Sequence, residues 1–150
     1  MKIRPIKISD IEKVLFLINN FVEKYSLLPV NKDFIFEHLN NYYVVDNNHK
    51  IIGVGFLRIY NKDLAEIRSL VIDSAYQGKG LGKKLVHFLI KKAKNIGIKK
   101  VFALSTTPEF FTTIGFKIVD KKIFPEKIWL DCQYCTKKNQ CNEIALLYEI

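Results

Sequence analysis

The chain has 150 residues, 49% of them hydrophobic and 26% charged, with only 7 glycines and 4 prolines. This composition excludes a disordered or collagen-like protein and suffices for a real core without disulfide or metal staples. The net charge of +9 favours an anionic partner without naming one, and no apolar run approaches the ~18 residues of a membrane span.

The first element expected is a short strand, KIRPI. Ser9 and Glu12 have the spacing of a capping box, and Ile11, Val14, Leu15, Ile18, Phe21, Val22 and Tyr25 then recur at helical spacing. SLLPVNK breaks that helix and DFIFEHLNN forms a shorter one. YYVVD and IIGVGFLRIY flank the polar tetrapeptide NNHK, which is a hairpin pattern. NKD turns the chain into a third strand, LAEIRSLVI. After QGKGLG, a helix presents Leu81, Leu85, Phe88, Leu89, Ala93 and Ile96 on one face, with Gly97 as its C-terminal cap. KKVFALS reads as a strand, PEFFTTIGF as a short helix leading into GFKIV, and IALLYEI as a closing strand. Residues 120–143 show no clear period. The expected order is β-α-α-β-β-β-α-β-α-β-β, a mixed α/β (α+β) chain with residues 1–150 as one domain.

The N-terminal MKIRPIKISD lacks the apolar centre of a secretory signal, so a cytoplasmic protein is expected. The cysteines, Cys132, Cys135 and Cys141, are then reduced thiols. Their spacing would offer zinc three ligands, but His38, His49 and His87 lie elsewhere in the chain, and no metal is expected. No recognised nucleic-acid motif accompanies the basic residues, which gather mostly along one helix and in the tail. Lysines outnumber arginines 21 to 3, so Arg4, Arg58 and Arg68 draw notice as bidentate donors.

QGKGLG stands between a strand and a helix. The first N–H groups of a helix lack partners within it, the helix dipole adds positive charge, and glycines let an anion approach the backbone. Neither nucleotide-binding spacing fits. No Gly-Lys-Ser/Thr follows at the P-loop distance, and Gly78, Gly80 and Gly82 are spaced G-x-G-x-G rather than G-x-G-x-x-G. A tight turn before a helix would account for the glycines alone.

AEIRSLVIDSAYQGKGLGKKLVHFLIKKAK resembles the core motif of the GNAT family of N-acetyltransferases. Gln77, Gly80 and Gly82 fill the Gln/Arg-x-x-Gly-x-Gly/Ala signature, and the element order and FFTTIGF also fit. The resemblance implies the GNAT fold, a single mixed, mostly antiparallel sheet flanked by helices, with acetyl-CoA as cosubstrate. Carried over, the backbones of Leu70, Val71 and Ile72 pair with the acetyl carbonyl and pantetheine arm. Gly78, Lys79, Gly80, Leu81, Gly82 and Lys83, with Gln77 at the head of the loop, take the pyrophosphate, and Lys84 adds charge. The resemblance also implies a strand that is bulged and splayed from its neighbour.

Acetyl transfer to an amine of pKa near ~10 needs a base, because only about one amine in a thousand is neutral at pH 7. Glu66 matches the place where histone-acetylating relatives carry a catalytic glutamate. Strand alternation puts it on one face with Arg68, Leu70 and Ile72. An ion pair with Arg68 would instead make it structural. The tyrosine that serves many relatives as general acid is replaced here by Phe111, which cannot give a proton; water, another tyrosine such as Tyr134 or Tyr148, or direct departure of the low-pKa thiol are the alternatives.

VFALSTTPEFFTTIGF together with AEIRSLVID resembles the catalytic module of N-acetylglutamate synthases, and FPEKIWLDCQYCTKKNQCNEIAL is similar to the tail of short bacterial proteins of that activity. This resemblance implies L-glutamate as acceptor, the first step of arginine biosynthesis. Arg68 and Ser105 are the leading substrate-binding residues, with Arg4, Arg58 and Lys127 as further candidates. A competing acceptor is a protein N-terminus, a lysine or a polyamine, which Glu66, Glu109 and Asp131 would attract. A third alternative is an acyl-CoA-binding module without turnover. The partner expected is a small-molecule amine, with no nucleic acid and no membrane; a homodimer is left open.

Overall fold

The structure, a computed structural model, describes residues 1–22, 27, 29–124 and 143–150. Its elements are β1 (Lys2–Pro5), α1 (Ile11–Asn20), α2 (Lys32–Glu37), β2 (Tyr42–Asn47), β3 (Lys50–Ile59), β4 (Leu64–Ile72), α3 (Leu81–Asn95), β5 (Lys100–Ser105), α4 (Pro108–Thr112), β6 (Lys117–Val119) and β7 (Ile144–Glu149). This is the order expected from the sequence. The described strands form one 7-stranded sheet in the order β1-β2-β3-β4-β5-β7-β6. Every neighbouring pair is antiparallel except β4 and β5.

The β2–β3 hairpin turns on Asn48 and His49, both at positive φ (50° and 72°). Two consecutive left-handed residues match the twist of the flanking strands. Helices cover both faces. On one face Leu81, Leu85, Leu89 and Ala93 of α3 pack on Ile52, Leu57, Ala65 and Ile67. On the other, Ile11, Val14, Leu17 and Ile18 of α1 pack on Val44, Val54 and Phe56.

Three local expectations are corrected. The Ser9–Glu12 capping box does not form. A 3-10 turn at Ile8–Asp10 precedes α1, and the Asp10 carboxylate accepts the Lys7 N–H at 2.8 Å, while Glu12 pairs with Lys32. In α1 the buried position is Leu17, with Leu15 only partly covered. In α3 the expected core residue Ile96 is 60% exposed. The helix ends before it: Gly97 N–H bonds Lys94 O and Ile98 N–H bonds Ala93 O, a Schellman closure that buries Ile98 in its place.

Arg4 is committed to the frame. Its Nε donates to Asp46 at 2.9 Å, and its two terminal nitrogens donate to Asp10 at 2.8 and 3.2 Å. The guanidinium thereby ties β1 to β2 and to the entry of α1. Burial resists the charge on Asp10, but the hydrogen bonds from Arg4 and from the Lys7 N–H outweigh it and hold the carboxyl below its usual range.

Candidate active site

Two features of β4 build the site. The first is a bulge. Val54 pairs with Val71 and Phe56 with Arg68, so Ser69 and Leu70 stand opposite Gly55 alone. Ser69 takes a left-handed φ of 51° to accommodate the extra residue. The alternation therefore flips, and one expectation is corrected. Leu70 and Ile72 pack with Ala65 and Ile67 on the α3 side, whereas the Arg68 guanidinium lies 5.7 Å from the Phe34 ring of α2, on the other face.

The second feature is a split. The parallel pairing of β4 with β5 covers only Leu64 to Glu66 against Lys100 to Phe102. Among the described residues no strand pairs with the β5-side edge of residues 67–72. β4 is thus bulged and splayed where Leu70, Val71 and Ile72 lie. Glu66 holds the last paired position before the strands part.

The Glu66 carboxylate is 6% exposed. Its Oε1 accepts the Tyr60 hydroxyl at 2.7 Å, while Arg68 Nε is 3.9 Å away, outside hydrogen-bond range. Arg58 is the cross-strand partner of Glu66, and its guanidinium lies 5.4 Å from both the Phe34 and the Tyr60 rings. The Tyr42 phenol is fully buried, stacked on Phe56, and lacks a hydrogen bond among the described residues. Burial raises its pKa, opposed by Arg68, by the nearby Ser69 hydroxyl and by Arg58.

The glycine loop follows β4. Gly78 and Gly80 have φ of 78° and 81°, and a side chain there would meet nothing within 4 Å. Their left-handed backbone, not crowding, calls for glycine. The first helical N–H of α3 to find its carbonyl is that of Lys84, on Gly80 O at 3.1 Å. The amides of Leu81, Gly82 and Lys83 precede it and have no acceptor inside the helix. Gln77 Nε2 donates to Ile72 O at 2.8 Å, which ties the loop back to the end of β4. A Cβ on Gly82 would lie 3.1 Å from the Phe110 ring, so that glycine serves close packing of α3 on α4. Lys79 lies over the Tyr76 ring at 5.6 Å; Lys83 and Lys84 are exposed. An open, amide-lined loop rimmed by lysines fits a pyrophosphate.

Of the other residues named from the sequence, Ser105 alternates with Val101 and Ala103, which pack on the α3 side. Its hydroxyl is 3.2 Å from that of Thr107 and accepts the Thr107 N–H at 2.9 Å. Phe111 is buried between Phe110 and Phe116, and Tyr148 packs on Phe116. Lys127, Asp131, Tyr134 and the cysteines lie outside the described residues. Among the described residues no group of three or more potential ligands is placed to hold a metal, and no helix is long and apolar enough to cross a membrane. Tyr60 and Phe34 were not singled out from the sequence. For Tyr60 the signal was there, since it follows Arg58 at the strand period of two.

Residues 8–116 match the model of the Acetyltransferase (GNAT) family. The chain belongs to the GNAT acetyltransferase family. The fold and the enzyme class expected from the sequence, an acetyl-CoA-dependent N-acetyltransferase, are those of a GNAT enzyme. A protein of Chlorobaculum tepidum named as an uncharacterized N-acetyltransferase is 31% identical over 97% of this chain and 94% of its own length. An amino-acid acetyltransferase of Mycobacterium tuberculosis is 29% identical over 79% of this chain and 69% of its own. The N-acetylglutamate synthase of Neisseria gonorrhoeae, solved with coenzyme A and N-acetyl-glutamate, superposes with a TM-score of 0.89 at 27% identity. The alignment covers 99% of this GNAT chain but only 34% of that synthase.

Proposed function

We propose that this GNAT enzyme acetylates the α-amine of a small amino acid, L-glutamate, with Glu66 as the base. The observation that carries the reading is the juxtaposition of Glu66 and Arg68 where β4 parts from β5, a nearly buried carboxylate beside a guanidinium. A carboxylate is suited to take a proton from the attacking amine, directly or through water. A guanidinium is suited to hold a carboxylate of the acceptor. Likeness to amino-acid acetyltransferases and to a synthase solved with N-acetyl-glutamate supports the same acceptor class.

Acetyl-CoA supplies a thioester whose carbonyl carbon accepts the amine. The residues that would hold it are the edge of β4 at Leu70, Val71 and Ile72, and the loop from Gln77 to Lys83. Among the described residues no strand pairs with that edge beyond Glu66, and the loop offers amides without an acceptor inside the helix at the positive end of α3. Excluding water from a buried carboxylate and guanidinium strengthens their interactions with the substrate.

The test is release of coenzyme A from acetyl-CoA against a panel of amino acids, polyamines and peptides. L-Glutamate is expected to give the fastest turnover. Glutamate at the blank rate with a polyamine or peptide turned over overturns the acceptor and leaves the family standing. The loop is tested separately. Gly80→Asp puts a negative charge and a Cβ at a left-handed position, and acetyl-CoA affinity by calorimetry should fall at least about tenfold. Unchanged affinity would remove the loop from the cosubstrate site.

A further inference from the structure

We infer that Tyr60 is a positioning residue for Glu66, setting both the orientation and the proton affinity of the base. This deepens the reading above and rests on Glu66 taking the proton. The Tyr60 hydroxyl donates to Glu66 Oε1 at 2.7 Å, the length of a charge-assisted O–H···O bond. A donor to the ionised form favours that form, so Tyr60 opposes the rise in proton affinity that burial of Glu66 would bring.

Tyr60 is itself held fast. The Tyr60 N–H bonds Leu64 O at 3.0 Å. Asn61 Oδ1 accepts the N–H groups of Asp63 and Leu64 at 2.8 and 2.9 Å, which closes the turn between β3 and β4. The ring stacks on Phe102 at 5.9 Å on one side, and the Arg58 guanidinium lies 5.4 Å from its centre. A hydroxyl on a locked ring fixes its acceptor. Among the described residues, the charged and titratable groups beside the carboxylate include Tyr60 and Arg58 from β3 and Arg68 from β4; the rings of Phe102 from β5 and of Phe34, which α2 brings against the two arginines, do not titrate.

In the step that Tyr60 prepares, the amine nitrogen's electron pair forms the bond to the acetyl carbon and its proton passes to Glu66, directly or through one water. The carbon–sulfur bond breaks and its electron pair leaves on the thiolate. As Glu66 becomes neutral, the bond from Tyr60 weakens. Tyr60 therefore trades some basicity of Glu66 for a single orientation and for an ionised carboxylate at neutral pH.

The test is the pH profile of kcat/KM for Tyr60→Phe, with the acceptor of fastest turnover in the panel. Phenylalanine keeps the ring stack and removes the donor. The acidic limb should move up by about one pH unit, with acetyl-CoA affinity unchanged. A merely structural role would lower the rate at every pH and leave the limb in place. Glu66→Gln is run in parallel and should erase the limb with a loss of about 10²–10⁴-fold. A limb that persists in Glu66→Gln sinks the base assignment. A limb erased by Glu66→Gln yet unmoved, or moved down, in Tyr60→Phe overturns the role of Tyr60 alone. Should Tyr60→Phe fold poorly, 3-fluorotyrosine installed at position 60 makes the donor more acidic and should move the limb down; an unmoved limb is again fatal.

Discussion

Two arginine–carboxylate clusters lie on this sheet, built from the same residue types and bonded differently. Around Arg4 the fork is saturated, with contacts of 2.8 to 3.2 Å to Asp10 and Asp46. In the second, Arg68 Nε lies 3.9 Å from Glu66 Oε1, and the Tyr60 hydroxyl donates to that oxygen at 2.7 Å. Closed bidentate pairing uses the guanidinium to join elements of the fold. Arg68 and Glu66 stand further apart, at 3.9 Å, although both lie nearly buried on one strand. Residue identity alone does not separate the two geometries; the distances do.

The largest expected effect separates the clusters by stability. Arg4→Ala leaves Asp10 and Asp46 without their shared cation and should lower the melting temperature clearly. A Tm within about 2 °C of the parent would show that the closed cluster is not a strut.

Arg68→Lys keeps the charge and loses the planar fork. The KM for L-glutamate should rise about tenfold, with Tm changed far less than in Arg4→Ala. An equal loss of Tm in both variants would collapse the distinction and return Arg68 to a structural role.

The smallest effect is read in acid. The folded-state pKa values of Asp10 and Asp46 lie below the ordinary value, through the Arg4 hydrogen bonds together with those from the Lys7 and His49 N–H groups. Their contribution is present above an unfolded pKa of about 3.9 and is lost as pH falls through the folded values. Thermal melts should therefore show stability dropping below about pH 4. Arg4→Ala should flatten that drop; an equally steep one in the variant would assign acid sensitivity to other carboxylates.

Much of the architecture was legible along the chain. Hydrophobic periodicity and turn signals placed the described α-helices and strands in order, because one-sided burial imposes a period of 3.6 on a helix and about 2 on a strand. The errors fall where a contact from elsewhere overrides local pattern. Asp10 is drawn to Arg4 and Lys7, so the Ser9 cap has no role. Ile98 is the residue that the Schellman closure buries, so Ile96 is left in solvent.

The anion loop needs almost nothing beyond its own six residues and the helix that follows. Its backbone shape depends on where glycine permits left-handed φ, and its charge on the dipole of α3, so the amino-acid order already specifies it. The carboxylate site is different in kind. Glu66 meets Tyr60 through a hairpin and Arg68 along a strand, while Arg58 and Arg68 meet Phe34 of a helix far back in the sequence, and all of them depend on pairing register. One extra residue at Ser69 reverses every side chain beyond it, and alternation read along a single strand contains no trace of that. Pairing partners and bulges are settled when the sheet assembles, because only the facing strand determines which residue is in excess.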